Sequence, residues 1–158
     1  SLDDLTGLYQ RRRFDRELAA MLAESASVAL LVMDLDGIKR VNDTHGHLFG
    51  AHVIGEAGRR NGALSGEVPG AFGARFGGDE YTVAAPGLTR DAARAFAERL
   101  RAAIADATYT TEGIELRVGV SVGLAVAPDD ATELGALYHR ADAAMYAAKA
   151  AGRNRVEG

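Results

Sequence analysis

Two pairs of carboxylates stand out in this sequence, each beside residues that expose backbone. Asp34-Leu35-Asp36 closes an unbroken apolar run, and Asp79-Glu80 follows Gly77-Gly78. Asp34 and Asp36 point the same way on a regular strand end, with the Leu35 carbonyl between them. If the strands carrying the two pairs are neighbours, three or four carboxylates converge, and like charges at short range are costly. A hard divalent cation, Mg²⁺ or Mn²⁺, relieves that conflict, held by a few carboxylates together with phosphate and water. The two glycines would let a phosphate approach the backbone closely. Hairpin tips are also polar simply because water reaches them, and for a single Asp that reading is preferred. Two pairs at two strand ends, beside a double glycine, favour a metal–phosphate site.

Lys149 and Arg153 are four residues apart near the end of the last helical segment, so they share a face and can reach phosphate oxygens. Cations also favour a helix C-terminus for its dipole alone, and taken by itself the pair is explained that way. His45, His47 and His52 do not make a zinc site, which wants three or four ligands of defined type. They are read as loop residues behind a site, and His139 as structural or surface.

The elements that must position these groups follow from hydrophobic spacing. Phe14, Leu18, Met21 and Leu22 recur at helical intervals over 11–24. Val28–Met33 is apolar throughout, as in a central strand buried on both faces, which puts Asp34 and Asp36 at its C-terminal edge, where open α/β sheets place ligands. Val53, Ile54 and Ala57 indicate a helix within 37–62, although Gly55, Gly58 and Gly62 each weaken it by roughly 1 kcal/mol relative to Ala. Residues 63–70 read as a loop. Ala71–Phe76 and Asp79–Ala85 flank the glycines as a tight hairpin. Thr89 caps a helix to about Asp106. Ile114–Ala127 alternates as one long strand with a strongly apolar face. Thr132 caps a last helix that stops near Gly152. The sum is an α/β (α+β) domain, a central mixed sheet covered by helices.

Composition bounds the classes of function. The length of 158 residues fits one domain, here 1–158, and the start at Ser1 rather than Met leads to the expectation that it was cut from a longer protein. Cysteine is absent, which excludes disulfides and thiolate metal centres and suits a reducing, cytoplasmic compartment. No run reaches the ~18 apolar residues of a membrane span, and no signal peptide is visible. The net charge of −4 sets DNA and RNA aside as partners but leaves room for a small anionic substrate held by a local cluster of cations.

The ordered series of motifs resembles the GGDEF family of bacterial diguanylate cyclases over nearly the whole chain. It runs from Asp3-Asp4-Leu5-Thr6-Gly7-Leu8 with Arg11-Arg12 and Phe14, through Asp34-Leu35-Asp36, Lys39, Asn42-Asp43, Gly46-His47 and Gly50. It continues through Arg75-Phe76-Gly77-Gly78-Asp79-Glu80-Tyr81 and Ser121-Val122-Gly123. It closes with Ala141-Asp142, Met145-Tyr146, Ala148-Lys149 and Gly152-Arg153-Asn154. The resemblance implies a sheet like that of adenylyl cyclase and polymerase palm domains. It implies that two GTP molecules meet between two such domains, a homodimer during catalysis, and condense to cyclic di-GMP with release of pyrophosphate. It also implies an upstream sensory or regulatory domain, possible attachment to a membrane-bound sensor, and these roles. Asp34, the Leu35 carbonyl and Asp79 hold Mg²⁺; Glu80 binds metal or deprotonates the 3′-hydroxyl; Gly77 and Gly78 pass close to the triphosphate. Lys39, Lys149 and Arg153 balance phosphate charge, Arg75 steadies the transition state, and Asn42 binds the guanine edge.

Several positions depart from the family pattern. Tyr81 stands where Phe is usual, Gln10 replaces an Asn, and Ile38 replaces a Phe near the nucleotide. Ala51 replaces the Asp that accepts hydrogen bonds from guanine in Gly46-His47-Leu48-Phe49-Gly50-Ala51, so reduced guanine selectivity or affinity, and acceptance of ATP, are expected. Val68 and Ala71 occupy the positions of the family's Arg-x-x-Asp product site, so no product inhibition is expected there. A weak or inactive domain that binds GTP or a partner is the alternative, and a cyclase of relaxed base choice a third.

Overall fold

The structure, a computed structural model, describes residues 1–158 as α1 (Arg11–Glu24), β1 (Val28–Leu35), α2 (Ile38–His45), α3 (His47–Ser65), β2 (Phe72–Gly77) and β3 (Glu80–Pro86), followed by α4 (Arg90–Ala105), β4 (Tyr109–Thr111), β5 (Ile114–Leu116), β6 (Val120–Ala127), α5 (Leu134–Ala150) and β7 (Arg155–Glu157). Five strands form one sheet in the order β2-β3-β1-β6-β7. β1 is antiparallel to both neighbours, and β7 joins β6 in parallel, so the sheet is mixed.

β1 is central because its side chains feed both faces. Ala29, Leu31 and Met33 enter the core under α2, α3 and α4, with Phe49, Val53, Phe96 and Leu100. Val28, Leu30 and Val32 enter the core under α1 and α5, with Phe14, Leu18, Leu137 and Met145. A strand buried on both sides needs an apolar residue at every position. By the same alternation Asp34 falls on the α5 side, at the strand's open end.

Glycine decides how closely the helices approach. A Cβ on Gly123 would collide with backbone of α5 at Ala141 and Met145, and one on Gly58 would collide with Thr6. The glycines that weaken α3 as an isolated helix thus admit the N-terminal segment against it, and burial of Val53, Ile54 and Ala57 outweighs their propensity cost.

The sequence expectations need correction in five places. α3 continues through Ser65, so the loop expected at 63–70 starts later. His45, His47 and His52 are helical, with His45 and His52 flanking the Phe49 ring, rather than in a loop. Ile114–Ala127 is two strands: β5 pairs with β4 in a separate ribbon, and only β6 joins the main sheet. Alternation records which side of a strand is buried and is blind to a change of partner. Glu133, not Thr132, precedes α5, and it makes no side-chain cap. The chain also does not end with α5, since residues beyond Gly152 return to the sheet as β7. Thr89 does cap α4, accepting from the Ala92 N–H at 3.1 Å.

Candidate active site

The hairpin between β2 and β3 brings the second carboxylate pair beside the first. Asp34 lies opposite Glu80 in the β1–β3 register, and the Leu35 N–H donates to the Asp79 carbonyl at 3.1 Å. Gly77 pairs with Glu80, so the two turn residues are Gly78 and Asp79 rather than the two glycines. Gly77 and Gly78 nevertheless have φ of 112° and 52°, which glycine adopts without strain. Nothing stands within 4 Å of where their Cβ atoms would be, so the turn is open to an incoming group.

Of the four carboxylates, two meet. Asp34 and Asp79 are in contact. Burial raises the Asp79 carboxyl from 3.8 to about 6, and the neighbouring Asp34 carboxylate adds to the rise. Asp34 Oδ2 accepts from Lys149 Nζ, while its Oδ1 is buried without a partner. Asp36 is already engaged: it accepts from the Ser121 hydroxyl at 2.7 Å and from the Asn154 N–H at 3.0 Å. Glu80 is exposed and lines a neighbouring cavity of about 130 Å³ with Arg11, Phe76 and Tyr138. No three Asp, Glu or His side chains converge closely enough to form a ligand set by themselves. A raised carboxyl beside a carboxylate with an orphaned oxygen is the arrangement that a divalent cation relieves, and Mg²⁺ takes its remaining ligands from phosphate and water. The donors fit such an ion.

Cations surround this pair. A cleft of about 780 Å³ is lined by Asp34, Leu35, Asp36, Lys39, Asp79, Lys149 and Arg153, among others. Arg153 lies beyond α5, at φ 66°, so it shares the cleft with Lys149 through the turn of the tail and not as an i,i+4 helix pair. Its Nη1 is 3.7 Å from Asp36 Oδ1.

Arg75 sits behind the turn. Its Nε donates to the Gly78 carbonyl at 2.9 Å and its Nη1 to Asp3 Oδ1 at 2.8 Å, with both side chains mostly buried. Burial opposes ionisation of Asp3, but hydrogen bonds from Thr6 and Arg75 outweigh it and hold the carboxyl below its ordinary value. Arg75 therefore fixes the turn to the N-terminal segment. Tyr81 is fully buried, and its hydroxyl donates to the Ile54 carbonyl of α3 at 2.5 Å. Asn42, on α2, is not among the residues that line this cleft. Its Oδ1 is buried without a partner, and Gly50 of α3 leaves just enough room for it. Ala51, the next residue, is half-buried beside it. Val68 and Ala71 pack partly buried against the core and present no charge.

No local pattern in the sequence assigns a role to Ser121, Asn154 or Arg101. Ser121 was legible as the one hydroxyl in an apolar strand. Arg101 donates to Asn154 Oδ1 at 2.9 Å across 53 residues, a link no local pattern carries.

Known proteins resemble this chain in sequence and in fold. The family described as diguanylate cyclase, GGDEF domain, matches residues 1–155. Diguanylate cyclase VdcA of Vibrio cholerae is 37% identical over 98% of this chain and 45% of its own length. Diguanylate cyclase DgcP of Pseudomonas aeruginosa is 39% identical over 98% of this chain and 23% of its own. The chain thus spans less than half the length of these curated relatives. Among solved structures, the GGDEF domain of DgcB from Caulobacter crescentus, in complex with c-di-GMP, superposes with a TM-score of 0.90 at 32% identity, over 99% of this chain and 94% of that one. Sequence and fold agree: this chain belongs to the GGDEF family.

Proposed function

We propose that this domain is a diguanylate cyclase. Two copies, each holding one GTP, would face each other, and the 3′-hydroxyl of each nucleotide would attack the α-phosphate of the other. Each attack forms one phosphodiester bond and releases one pyrophosphate, and two attacks close cyclic di-GMP. The observation that carries this reading is that the carboxyls of Asp34 and Asp79 line one cleft with the cations of Lys39, Lys149 and Arg153.

The family uses a divalent cation, and we assign it as Mg²⁺ or Mn²⁺ on Asp34, the Leu35 carbonyl and Asp79, with Glu80 at its margin. When bound, it would polarise the phosphate and lower the pKa of the attacking hydroxyl. The protein's own groups do the rest. Gly77 and Gly78 let the triphosphate lie along the turn. Lys39, Lys149 and Arg153 offset the charge of the bound triphosphate. Glu80, which is exposed beside the turn, would take the 3′-hydroxyl proton of the nucleotide on the facing copy. Arg75 acts on the transition state through the turn that it holds. Asn42, with its unsatisfied oxygen, meets the base.

We place the domain in the cytoplasm, where GTP is available, attached to an input domain that controls pairing of the two copies. No helix is long and apolar enough to cross a membrane. The apolar Val68 and Ala71 support the absence of product inhibition at that surface. Incubation with GTP, ATP or both and Mg²⁺, followed by mass spectrometry, tests the proposal. Cyclic di-GMP from the wild type, and none from Asp79→Asn, is the expected result. No cyclic dinucleotide from any mixture would instead support a nucleotide-binding module.

A further inference from the structure

The tail after α5 turns on three consecutive residues of positive φ: Gly152 at 122°, Arg153 at 66° and Asn154 at 44°. Such backbone is free for glycine and disfavoured for arginine, so the surrounding structure must hold it. Asp36 supplies one hold. Its Oδ2 accepts from the Asn154 N–H at 3.0 Å, and its Oδ1 accepts from Ser121 and faces Arg153.

Asn154 supplies the other. Its Oδ1 accepts from Arg101 Nη1 at 2.9 Å and from the Val120 N–H at 3.5 Å. Arg101 belongs to α4, on the sheet face opposite α5. Its own direction is fixed by Glu98, whose carboxylate accepts from Nε and Nη2 at 2.6 to 3.0 Å. The Arg101 side chain is 17% exposed, little for a helix-surface arginine. The junction is tight, since a Cβ on Gly119 would lie 2.8 Å from Asn154 Cβ and 2.9 Å from Asp36 Oδ2.

We propose that Arg101 and Asn154 are positioning residues for the phosphates of the nucleotide: with Asp36 they lock the left-handed tail and hold the Arg153 guanidinium over the cleft. The proposal rests on the reading that a triphosphate enters this cleft. A long, exposed arginine loses rotamer freedom when it binds an anion, and fixing its backbone beforehand reduces that cost. The planar fork of Arg101 keeps two nitrogens on Glu98 and a third on Asn154, which a lysine ammonium cannot do.

Hydrogen exchange over residues 152–155, and the affinity for a GTP analogue with carbon bridging its α- and β-phosphorus, test this in the whole domain. Arg101→Gln, Arg101→Lys and Asn154→Gly are expected to speed exchange in that segment alone. They should weaken the analogue about fivefold, the worth of one hydrogen bond. KM for GTP should rise in step with kcat unchanged, as for lost binding that is uniform along the reaction. Asn154→Asp, which keeps the acceptor for Arg101, should leave exchange in that segment at the wild-type rate. Unchanged exchange, equal acceleration across the whole chain, or faster local exchange with unaltered affinity would each overturn the proposal, as would a wild type that does not bind the analogue. A wild type that binds it yet makes no cyclic dinucleotide defeats the cyclase reading and leaves the positioning role standing.

Discussion

Lys149 Nζ donates to Asp34 Oδ2, so a cation from α5 already occupies one oxygen of the carboxylate that we assign to the metal. Both side chains are largely shielded, at 26% and 14% exposure, and the pair is therefore less screened than one on the open surface. The lysine and a divalent ion compete for the same charge. A triphosphate that draws Lys149 away frees Asp34, so nucleotide and metal should favour each other's binding reciprocally.

Lys149→Met separates the two partners of that competition. Removal of a partly shielded ion pair is worth about 1 kcal/mol, or roughly fivefold in affinity. Mn²⁺ should bind the nucleotide-free variant about fivefold more tightly, while the unreactive GTP analogue binds more weakly. Electron paramagnetic resonance of free Mn²⁺ reads the first and calorimetry the second. Weaker Mn²⁺ binding in the variant would refute the competition.

Asp79 gives the metal-free domain a pH signature. Burial and the adjoining Asp34 raise its carboxyl from 3.8 to about 6, so the folded state binds more protons than the unfolded state between those values. Its stabilising contribution is complete below the unfolded value and is lost as pH rises through about 6. A divalent cation replaces that proton. Calorimetry in buffers of different ionisation enthalpy should record close to one proton released per metal near pH 5, and none near pH 8. Equal release at both would show that Asp79 is ionised throughout.

Ala51 bears on base choice. An unpaired donor in a partly buried pocket costs about 1–3 kcal/mol, or roughly ten- to a hundredfold in binding. Ala51→Asp should raise the preference for GTP over ATP by about tenfold or more, read from competitive turnover and product masses. Strict and equal GTP preference in both proteins would show that Asn42 and the rest of the pocket suffice.

Gly123 sets the distance between β6 and α5. A Cβ there meets helix backbone, not a movable side chain, so Gly123→Ala must displace α5. Overpacking of this kind costs about 1–3 kcal/mol, and most where backbone must move, measurable by urea denaturation. Because α5 carries Lys149 toward Asp34, loosened nucleotide binding should accompany the loss of stability.

By itself the sequence determined the covalent and periodic features. The apolar run ending at Asp34 sets a doubly buried strand. The paired glycines set a hairpin, and the order of motifs sets the family, since all of these are local patterns whose physics lies within a few residues. Tertiary structure decided which groups meet. It brought Asp34 to Asp79 and Lys149, committed Asp36 to Ser121 and Asn154, and turned Arg75 behind the hairpin. It also broke Ile114–Ala127 between two sheets and carried Arg153 off its helix. These outcomes depend on strand order and on how closely α5 approaches β6, which Gly123 sets across the sheet. A burial pattern along the chain records that a face is covered, and only the fold decides by what.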